Sequence, residues 1–198
     1  ITMSYDAKVN FEDVYSQVRM WDTMIYNYLT DRNIVVPPRK GSKKDEKYAG
    51  AYVKEPKVGC YDWVVSFDLN SLYPHLIMQY NISPETLVEK RHPSATVNGL
   101  LSQSVDVPKE FCLCANGAMY RKDIHGFLPE MMKKIYDERV QSKQLMILAK
   151  KEYEKTPTKE LEKSISKYNN IQMARKIQLN SAYGAIGNQY FRYYNIIN

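Results

Sequence analysis

Apolar side chains recur at helical spacing near the start of the chain. Within "FEDVYSQVRMWDTMIYNYLT" five of them follow one another at intervals of three or four residues: Val14, Val18, Trp21, Ile25 and Leu29. This spacing puts them on one face and predicts a helix over residues 11–30. A pair of prolines ends the pattern, and the polar, glycine-containing stretch "PPRKGSKKDEKYAG" indicates an exposed linker or loop.

The last third of the chain carries two longer helical patterns. Pro129 opens a helix-compatible run that lasts to about Lys155, and a second run begins after Thr158 and continues to about Tyr183. Thr158 is a favourable N-cap, and the acidic residues after it suit the positive end of a helix dipole. Because the turn "TPT" between the runs is short, the two helices must pack as an antiparallel hairpin to cover their apolar stripes.

Between these helical regions the pattern changes to short strand-like runs. The alternation in "AYVKEP" and the apolar run "WVVSF" predict two strands, the second in a sheet interior. "EFCLC" and "AMYRK" predict two more within the otherwise irregular residues 84–126, and a short helix is expected from Ser71. The predicted fold class is therefore α+β, an antiparallel sheet with helices plus a long antiparallel α-helical hairpin.

Length and composition are those of a globular chain of one fair-sized domain or parts of two. It has 198 residues, of which 44% are hydrophobic, and no apolar run or leader-like start predicts a membrane span or secretion. The cysteines Cys60, Cys112 and Cys114 lack paired CxxC spacing, so we expect reduced thiols in a cytoplasmic protein. The first residue, Ile1, and the unpunctuated end "YYNIIN" suggest a piece of a longer protein.

The positive charge is concentrated in one segment. The net charge is +6, and residues 121–176 account for all of it, with 14 Lys or Arg against 8 Asp or Glu. Such a segment suits the phosphates of a nucleotide or of a nucleic-acid backbone. A solvated face on long charged helices is the alternative that composition leaves open.

Folding the predicted hairpin about Pro157 brings several polar side chains to one level. Arg139 and Lys143 are stacked on one side of the first helix, and Lys176 and Asn180 share a face of the second. Three cations and an amide at one level are able to hold a triphosphate, since Arg offers a fork of donors and Lys a compact charge. Ordinary surface cations without a common ligand are the alternative.

Two residues near the end of the second helix indicate a close approach to the backbone. In "NSAYGAIGN", Gly184 lies in an otherwise good helix, where glycine costs about 1 kcal/mol relative to alanine. A base pair lying over Gly184 and against the ring of Tyr183 would explain both residues, because an aromatic face accepts any base. A helix C-cap is the alternative.

An aspartate ends the apolar run in "VVSFDLNSLYPHLIMQY". A buried, unpaired Asp68 would be too costly, so it is expected to be hydrogen-bonded or to hold a cation such as Mg²⁺. The turn after it exposes backbone N–H groups that suit anionic oxygens, and Tyr73 is placed to lie against the sugar of a nucleotide held there. Alternatively, Asp68 is a helix cap and Tyr73 a core aromatic residue.

These segments resemble signatures of the family B DNA polymerases. "DLNSLYP" resembles their motif A, D-x-x-S-L-Y-P, and "RKIQLNSAYGAIGN" resembles their motif B, K-x(3)-N-S-x-Y-G. "YAGAYVKEP", "NISPET" and "FRYYN" are similar to the replicative polymerases of T-even-type bacteriophages. The resemblance covers nearly the whole chain, with both motifs in the family's order and the hairpin between them.

The resemblance implies roles for the residues of motif A. Asp68, helped by the backbone carbonyl of Leu69, is expected to bind two catalytic Mg²⁺ ions, with Mn²⁺ as a possible substitute. The backbone amides of Ser71, Leu72 and Tyr73 are expected to hold the β- and γ-phosphates. The Tyr73 ring is expected to act as a steric gate against a ribose 2′-hydroxyl.

The resemblance also implies roles for the hairpin. Arg139, Lys143 and Lys176 are expected to grip the triphosphate of a deoxynucleotide, with Asn180 assisting. Tyr183 and Gly184 are expected to line the nascent base pair. These are the same residues that the spacing along the helices brings together.

The family pattern also divides the chain into parts. Residues 1–39 resemble the tail of the N-terminal or exonuclease region, 40–125 the first part of the palm, 126–188 the fingers, and 189–198 a truncated return to the palm. His75 stands where the family usually has serine and Asn70 where this phage group usually has threonine, so tuning rather than loss of the site is expected. The bridging carboxylate of motif C and the thumb are absent, so the chain is expected to be inactive alone.

The expected function is template-directed addition of dNTPs to a primer 3′-hydroxyl by two-metal phosphoryl transfer. The implied partners are primer–template DNA, dNTPs, the remaining polymerase segments in the same or a separate chain, and possible attachment of a sliding clamp through a missing C-terminal part. The implied location is the cytoplasm of an infected bacterial host. The alternative is a non-catalytic nucleic-acid-binding or assembly subunit that keeps the scaffold, since phosphate binding by basic residues needs no active site.

Overall fold

The computed structural model describes residues 1–39 and 52–195. Its helices in this part of the chain are α1 (Thr2–Ala7), a 3-10 helix (Phe11–Tyr15), α2 (Gln17–Thr30), α3 (Leu72–Gln79), α4 (Val97–Leu101), α5 (Phe127–Lys155) and α6 (Lys159–Ile186). Its strands are β1 (Leu87–Val88), β2 (Phe111–Leu113) and β3 (Met119–Arg121). None of the helices in these ranges has an apolar stretch long enough to cross a membrane.

The two longest helices, α5 and α6, pack against each other as an antiparallel hairpin, as the sequence predicts. Helix α6 begins with the predicted cap, because the Thr158 hydroxyl accepts a hydrogen bond from the Leu161 amide at 3.2 Å. Helix α5 begins two residues before Pro129, and α6 runs three residues beyond Tyr183. The α+β class with a helical hairpin is thus confirmed.

The core lies at the base of this hairpin, where α2 packs on α6. Trp21 and Ile25 of α2 are fully buried with Met132 of α5 and Leu179 of α6. The Trp21 indole Nε1 donates to the Ser181 hydroxyl at 2.9 Å, so the largest buried side chain also has its polar atom satisfied. Between Tyr136 of α5 and Leu179 of α6, no hairpin residue belongs to this core cluster, so the core holds only the base of the hairpin.

The predicted helix over residues 11–30 is broken into two elements. A 3-10 helix ends at Tyr15, and α2 starts after Ser16, whose hydroxyl accepts from the Arg19 amide at 3.4 Å. Serine at this position favours an N-cap over helix interior, which explains the break. The predicted linker over residues 37–50 lies outside the described residues from position 40 onward.

The sheet is small and antiparallel, with strand order β1-β3-β2. Tyr120 of β3 lies opposite Leu87 on one side and Cys112 on the other. The strands predicted in "EFCLC" and "AMYRK" are therefore confirmed as β2 and β3, and they pair with each other. All three cysteines are free thiols, and burial raises the pKa of Cys114 to about 11.

The predicted interior strand "WVVSF" is wrong for the described structure. Residues 63–67 form no strand, and Trp63 and Phe67 are 97% and 93% exposed. The described residues of "AYVKEP", 52–56, form no strand either. A strand needs a hydrogen-bonded neighbour, and none of the described residues provides one for these runs, so their β propensity alone does not produce a sheet.

The start of α5 is held by the loop of residues 81–86. The Ser83 hydroxyl accepts from the Leu128 amide at 3.4 Å, and the Glu85 carboxylate accepts from the Phe127 amide at 2.6 Å. These side chains satisfy N–H groups that a helix start leaves without internal partners. The hairpin is thereby attached to a loop that follows α3.

Asn81 organises this loop. Its side-chain amide donates to the carbonyls of Arg121 and Ile124, at 2.6 and 2.8 Å, and accepts from the Gly126 amide at 2.9 Å. Its own backbone has a positive φ of 55°, which asparagine tolerates better than most residues. One buried side chain thus ties β3 and the start of α5 to the end of α3.

We expect Asn81→Ala to lower the free energy of unfolding by about 3 kcal/mol, because three hydrogen bonds worth about 1 kcal/mol each are lost. The measurement is urea unfolding followed by the fluorescence of the buried Trp21. Asn98→Ala, at an exposed position of α4, is the matched control and is expected to change stability by less than about 0.5 kcal/mol. Equal losses in both variants would contradict the anchoring role of Asn81.

Candidate active site

A left-handed turn at Ser71 stands at the centre of the candidate site. Ser71 caps α3 with φ 55° and ψ 47°, a conformation that costs a non-glycine residue about 1–2 kcal/mol. Its hydroxyl accepts from Arg139 Nη1 of α5 at 3.0 Å. Its carbonyl accepts from the backbone N–H of His75 at 3.1 Å and contacts His75 Nδ1 at 2.9 Å. The strained turn is therefore held from α3 and from the hairpin.

Arg139 contacts this turn through only some of its hydrogen-bond donors. One Nη atom bonds Ser71, whereas its Nε is buried and has no hydrogen-bond partner among the described residues. A buried donor without a partner is costly, and an anion in contact with the guanidinium would satisfy it. Lys143, one turn further along α5, and Lys176 and Asn180 on α6 are exposed.

An ion pair across the hairpin fixes the relative level of its two helices. Glu138 of α5 contacts Arg175 Nε of α6 at 2.7 Å. The next residue on each helix, Arg139 and Lys176, must therefore lie at nearly the same level. Arg175 also bonds Asp6 of α1 at 2.7 Å, so the pair is joined to the first helix of the chain.

Tyr73 and Tyr183 stack on each other. Their ring centroids are 4.3 Å apart and the rings are inclined by 17°. Tyr73 is 39% exposed, so its alternative interpretation as a core aromatic residue is wrong. The stack joins α3 to α6 and forms one wall of a cavity of about 350 Å³, whose other walls include Leu76, Ile82 and Ile186.

Gly184 lies on the surface of α6 and not at its end. The helix continues to Ile186 and is capped by Gly187, so the alternative interpretation of Gly184 as a C-cap is wrong. A Cβ atom at position 184 would clash with Oε1 of Gln17. The close approach that the glycine indicates is thus filled by a side chain from the start of α2. Gln17 carries no signal in the sequence, because only the tertiary fold brings it to α6.

Asp68 is exposed, and its carboxylate has no hydrogen-bond or ion-pair partner within residues 1–39 and 52–195. The prediction that it lies buried at the end of a strand is wrong, because that strand does not form. Its alternative role as the cap of α3 is also wrong, since Ser71 is the N-cap residue. Leu69 beside it is 71% exposed.

The residues at Asp68 fit part of a divalent-metal site. A carboxylate and a carbonyl are the hard oxygen ligands that Mg²⁺ prefers. The described ranges contain no group of three or more His, Cys, Asp or Glu side chains that could hold a metal ion. A two-ion site needs a further bridging carboxylate, and the described residues group no such carboxylate with Asp68.

Comparison with known proteins gives one consistent result. The family model described as DNA polymerase family B matches residues 11–196. The chain is 31% identical to a DNA-directed DNA polymerase of Escherichia phage RB69 and 32% identical to one of Enterobacteria phage T4, in each case over the whole chain. A DNA polymerase of Pyrococcus glycovorans is 33% identical over 83% of the chain.

A solved structure agrees with these sequences. The family B DNA polymerase from Pyrobaculum calidifontis superposes with a TM-score of 0.66 and 27% identity over 98% of this chain and 23% of its own. The chain spans 26% of the length of the two phage polymerases. With a family model that covers nearly all of its residues, the chain belongs to DNA polymerase family B.

Proposed function

We propose that this chain is the part of a template-directed DNA polymerase that binds the incoming dNTP, and that the complete enzyme adds it to a primer 3′-hydroxyl. The observation that carries the proposal is the hydrogen bond from Arg139 to Ser71. It brings the hairpin, with its cations, to the backbone turn of motif A. A triphosphate at this junction would be bound from two sides.

The turn at Ser71 would bind the triphosphate from one side. The amides of Leu72 and Tyr73 lie in the first turn of α3, where helical N–H groups lack internal partners, and Pro74 has none to offer. With the Ser71 amide, they are proposed to bind the β- and γ-phosphates. The short helix thus offers donors to an anion at the end where its dipole is positive.

The α5–α6 hairpin would bind the triphosphate from the other side. Arg139 is already oriented by Ser71, while Lys143 and Lys176 are exposed and able to move onto a ligand. We infer that these three cations bind the triphosphate and that Asn180 assists from the same face of α6. The ion pair between Glu138 and Arg175 holds Arg139 and Lys176 at nearly the same height along the hairpin, which supports their binding to one ligand.

The aromatic pair is proposed to select the nucleotide. The Tyr73 ring would lie under the sugar and exclude a 2′-hydroxyl, and Tyr183 with Gly184 would line the nascent base pair. The stacking of the two rings, with centroids 4.3 Å apart, supports a shared role for them. Because Gln17 covers Gly184, a base pair at this position would contact or displace its amide.

Asp68 and the Leu69 carbonyl are proposed to hold divalent metal ions, Mg²⁺ or Mn²⁺. Such ions stabilise the charge on the attacking and leaving oxygens during phosphoryl transfer. The second carboxylate would come from polymerase segments other than the described residues. We therefore expect the 198-residue chain to extend no primer by itself.

The division of the chain follows from this assignment. We propose residues 1–39 as the tail of the N-terminal or exonuclease region, 40–125 as palm, 126–188 as fingers and 189–198 as a return to the palm. The partners would be primer–template DNA, dNTPs, the remaining polymerase segments and, through those segments, a sliding clamp. The phage relatives favour the cytoplasm of an infected bacterium as the place of action.

A second candidate function is a non-catalytic nucleic-acid-binding or assembly subunit. The exposed cations of the hairpin favour it, because they are able to bind a DNA backbone without any chemistry. The two functions differ in their ligand. A polymerase site binds a dNTP with Mg²⁺, whereas a scaffold binds DNA and ignores the nucleotide.

We expect Lys176→Ala in the complete polymerase to raise the KM for dNTP about tenfold or more, because a charge-assisted contact to the triphosphate is lost. The measurement is single-nucleotide primer extension over a range of dNTP concentrations. Lys163→Ala, exposed on the same helix toward the hairpin turn, is the matched control and should leave KM unchanged. Asp68→Ala is expected to abolish extension. An equal KM for both lysine variants would show that Lys176 does not bind the triphosphate. A complete protein that binds DNA but extends no primer and binds no dNTP would support the scaffold function.

We expect Tyr73→Ala to raise the ratio of ribonucleotide to deoxyribonucleotide incorporation at least about tenfold, because the ring that excludes the 2′-hydroxyl is removed. Tyr73→Phe keeps the ring and should keep the discrimination. The measurement is the ratio of kcat/KM for matched rNTP and dNTP. Unchanged selectivity in the alanine variant would show that Tyr73 is not the steric gate.

A further inference from the structure

We propose that His75 is a positioning residue that keeps the Ser71 turn in its phosphate-binding conformation and aligns it with Arg139. This inference rests on the proposed dNTP site and assigns to it a residue that contacts neither phosphate nor metal.

The first support is the hydrogen bond from His75 to the turn. The Nδ1 atom lies 2.9 Å from the Ser71 carbonyl oxygen, and because that oxygen only accepts, Nδ1 must carry the proton. The His75 backbone N–H donates to the same oxygen at 3.1 Å. Two donors on one carbonyl fix the orientation of the peptide that follows Ser71, whose N–H is one of the proposed phosphate donors.

The second support is an aromatic contact with the hairpin. The His75 ring meets the Tyr136 ring edge to face, with centroids 4.8 Å apart and an angle of 82°. Tyr136 lies three residues before Arg139 on α5, so the two side chains share a face of that helix. His75 therefore contacts the same stretch of α5 from which Arg139 reaches Ser71.

These contacts form a closed ring of four residues: Ser71, His75, Tyr136 and Arg139. Arg139 bonds the Ser71 hydroxyl, His75 bonds the Ser71 carbonyl, and Tyr136 joins His75 to the helix that carries Arg139. All four side chains are partly shielded from water. A shift of α5 relative to α3 would have to break at least one of these contacts.

A serine at position 75 would supply only half of this arrangement. Its hydroxyl is able to bond a carbonyl one helical turn back, but it is too short to reach the Tyr136 ring. The histidine thus adds a contact between α3 and α5 to a hydrogen bond that serine also makes. The consequence is a tighter alignment of the turn with Arg139.

The test uses the complete polymerase with four single variants: His75→Ala, His75→Ser, His75→Phe and the control His125→Ala, which changes an exposed histidine. We expect His75→Ala to raise the KM for dNTP five- to tenfold while kcat stays within about twofold. His75→Ser keeps the hydrogen bond and His75→Phe keeps the ring contact, so each should recover part of the affinity. The control should match the wild type.

A double-mutant cycle separates positioning from a merely structural role. If His75 acts through Arg139, the rise in the KM for dNTP caused by Arg139→Met should be smaller in the His75→Ala background than in the wild type. Strict additivity, an unchanged KM in His75→Ala, or a loss confined to thermal stability and kcat would each overturn the inference.

The proposed function has its own readout in the same experiment. If the wild type extends a primer and Asp68→Ala abolishes this extension, polymerase activity is established independently of His75. An unchanged KM in His75→Ala would then overturn the His75 inference alone. A wild-type enzyme that extends no primer overturns both.

Discussion

The position of Arg139 and Lys143 in the candidate site depends on how the N-terminus of α5 is held. Helix α5 has 29 residues, and the contacts with α1, α2 and α3 that the described residues make to the hairpin lie near its base. That base is capped by Ser83 and Glu85, side chains of a separate loop, which the Asn81 amide ties to β3. Arg139 lies about three turns along this helix. A small tilt of the helix at its N-terminus would therefore move the Arg139 guanidinium farther than it moves the first turn.

The sequence was sufficient to predict the hairpin because its determinants are local. Apolar spacing, the Thr158 cap and the short turn each act within a few residues, and the two helices then cover much of their apolar stripes by packing on each other. The segment of residues 63–67 shows the opposite case. Its β-branched and aromatic residues favour a strand, but a strand exists only with a hydrogen-bonded neighbour, which no local pattern supplies.

The candidate site likewise contains some features that local sequence predicts and others that it does not. Helical spacing predicts that Arg139 and Lys176 lie at one level, because antiparallel geometry converts sequence distance from the turn into height. It does not predict Gln17 over Gly184, nor the contact of His75 with Tyr136, since these depend on where separate helices meet. The resemblance to a family gives Asp68 its proposed role. The exposed carboxylate, which has no partner among the described residues, does not reveal that role by itself.

Arg175 is held between Asp6 and Glu138, two carboxylates from different helices, and only 15% of its side chain is exposed. Its positive charge is therefore compensated locally, although it stands next to Lys176 in the chain. Among the described residues, Arg139, Lys143 and Lys176 have no carboxylate partner, so they contribute to the positive potential that an approaching polyanion meets at the hairpin base, and the two lysines are the more exposed. Added salt should accordingly screen the long-range attraction of those two lysines. The ion pairs of Arg175, which are mostly shielded from water, should remain largely intact.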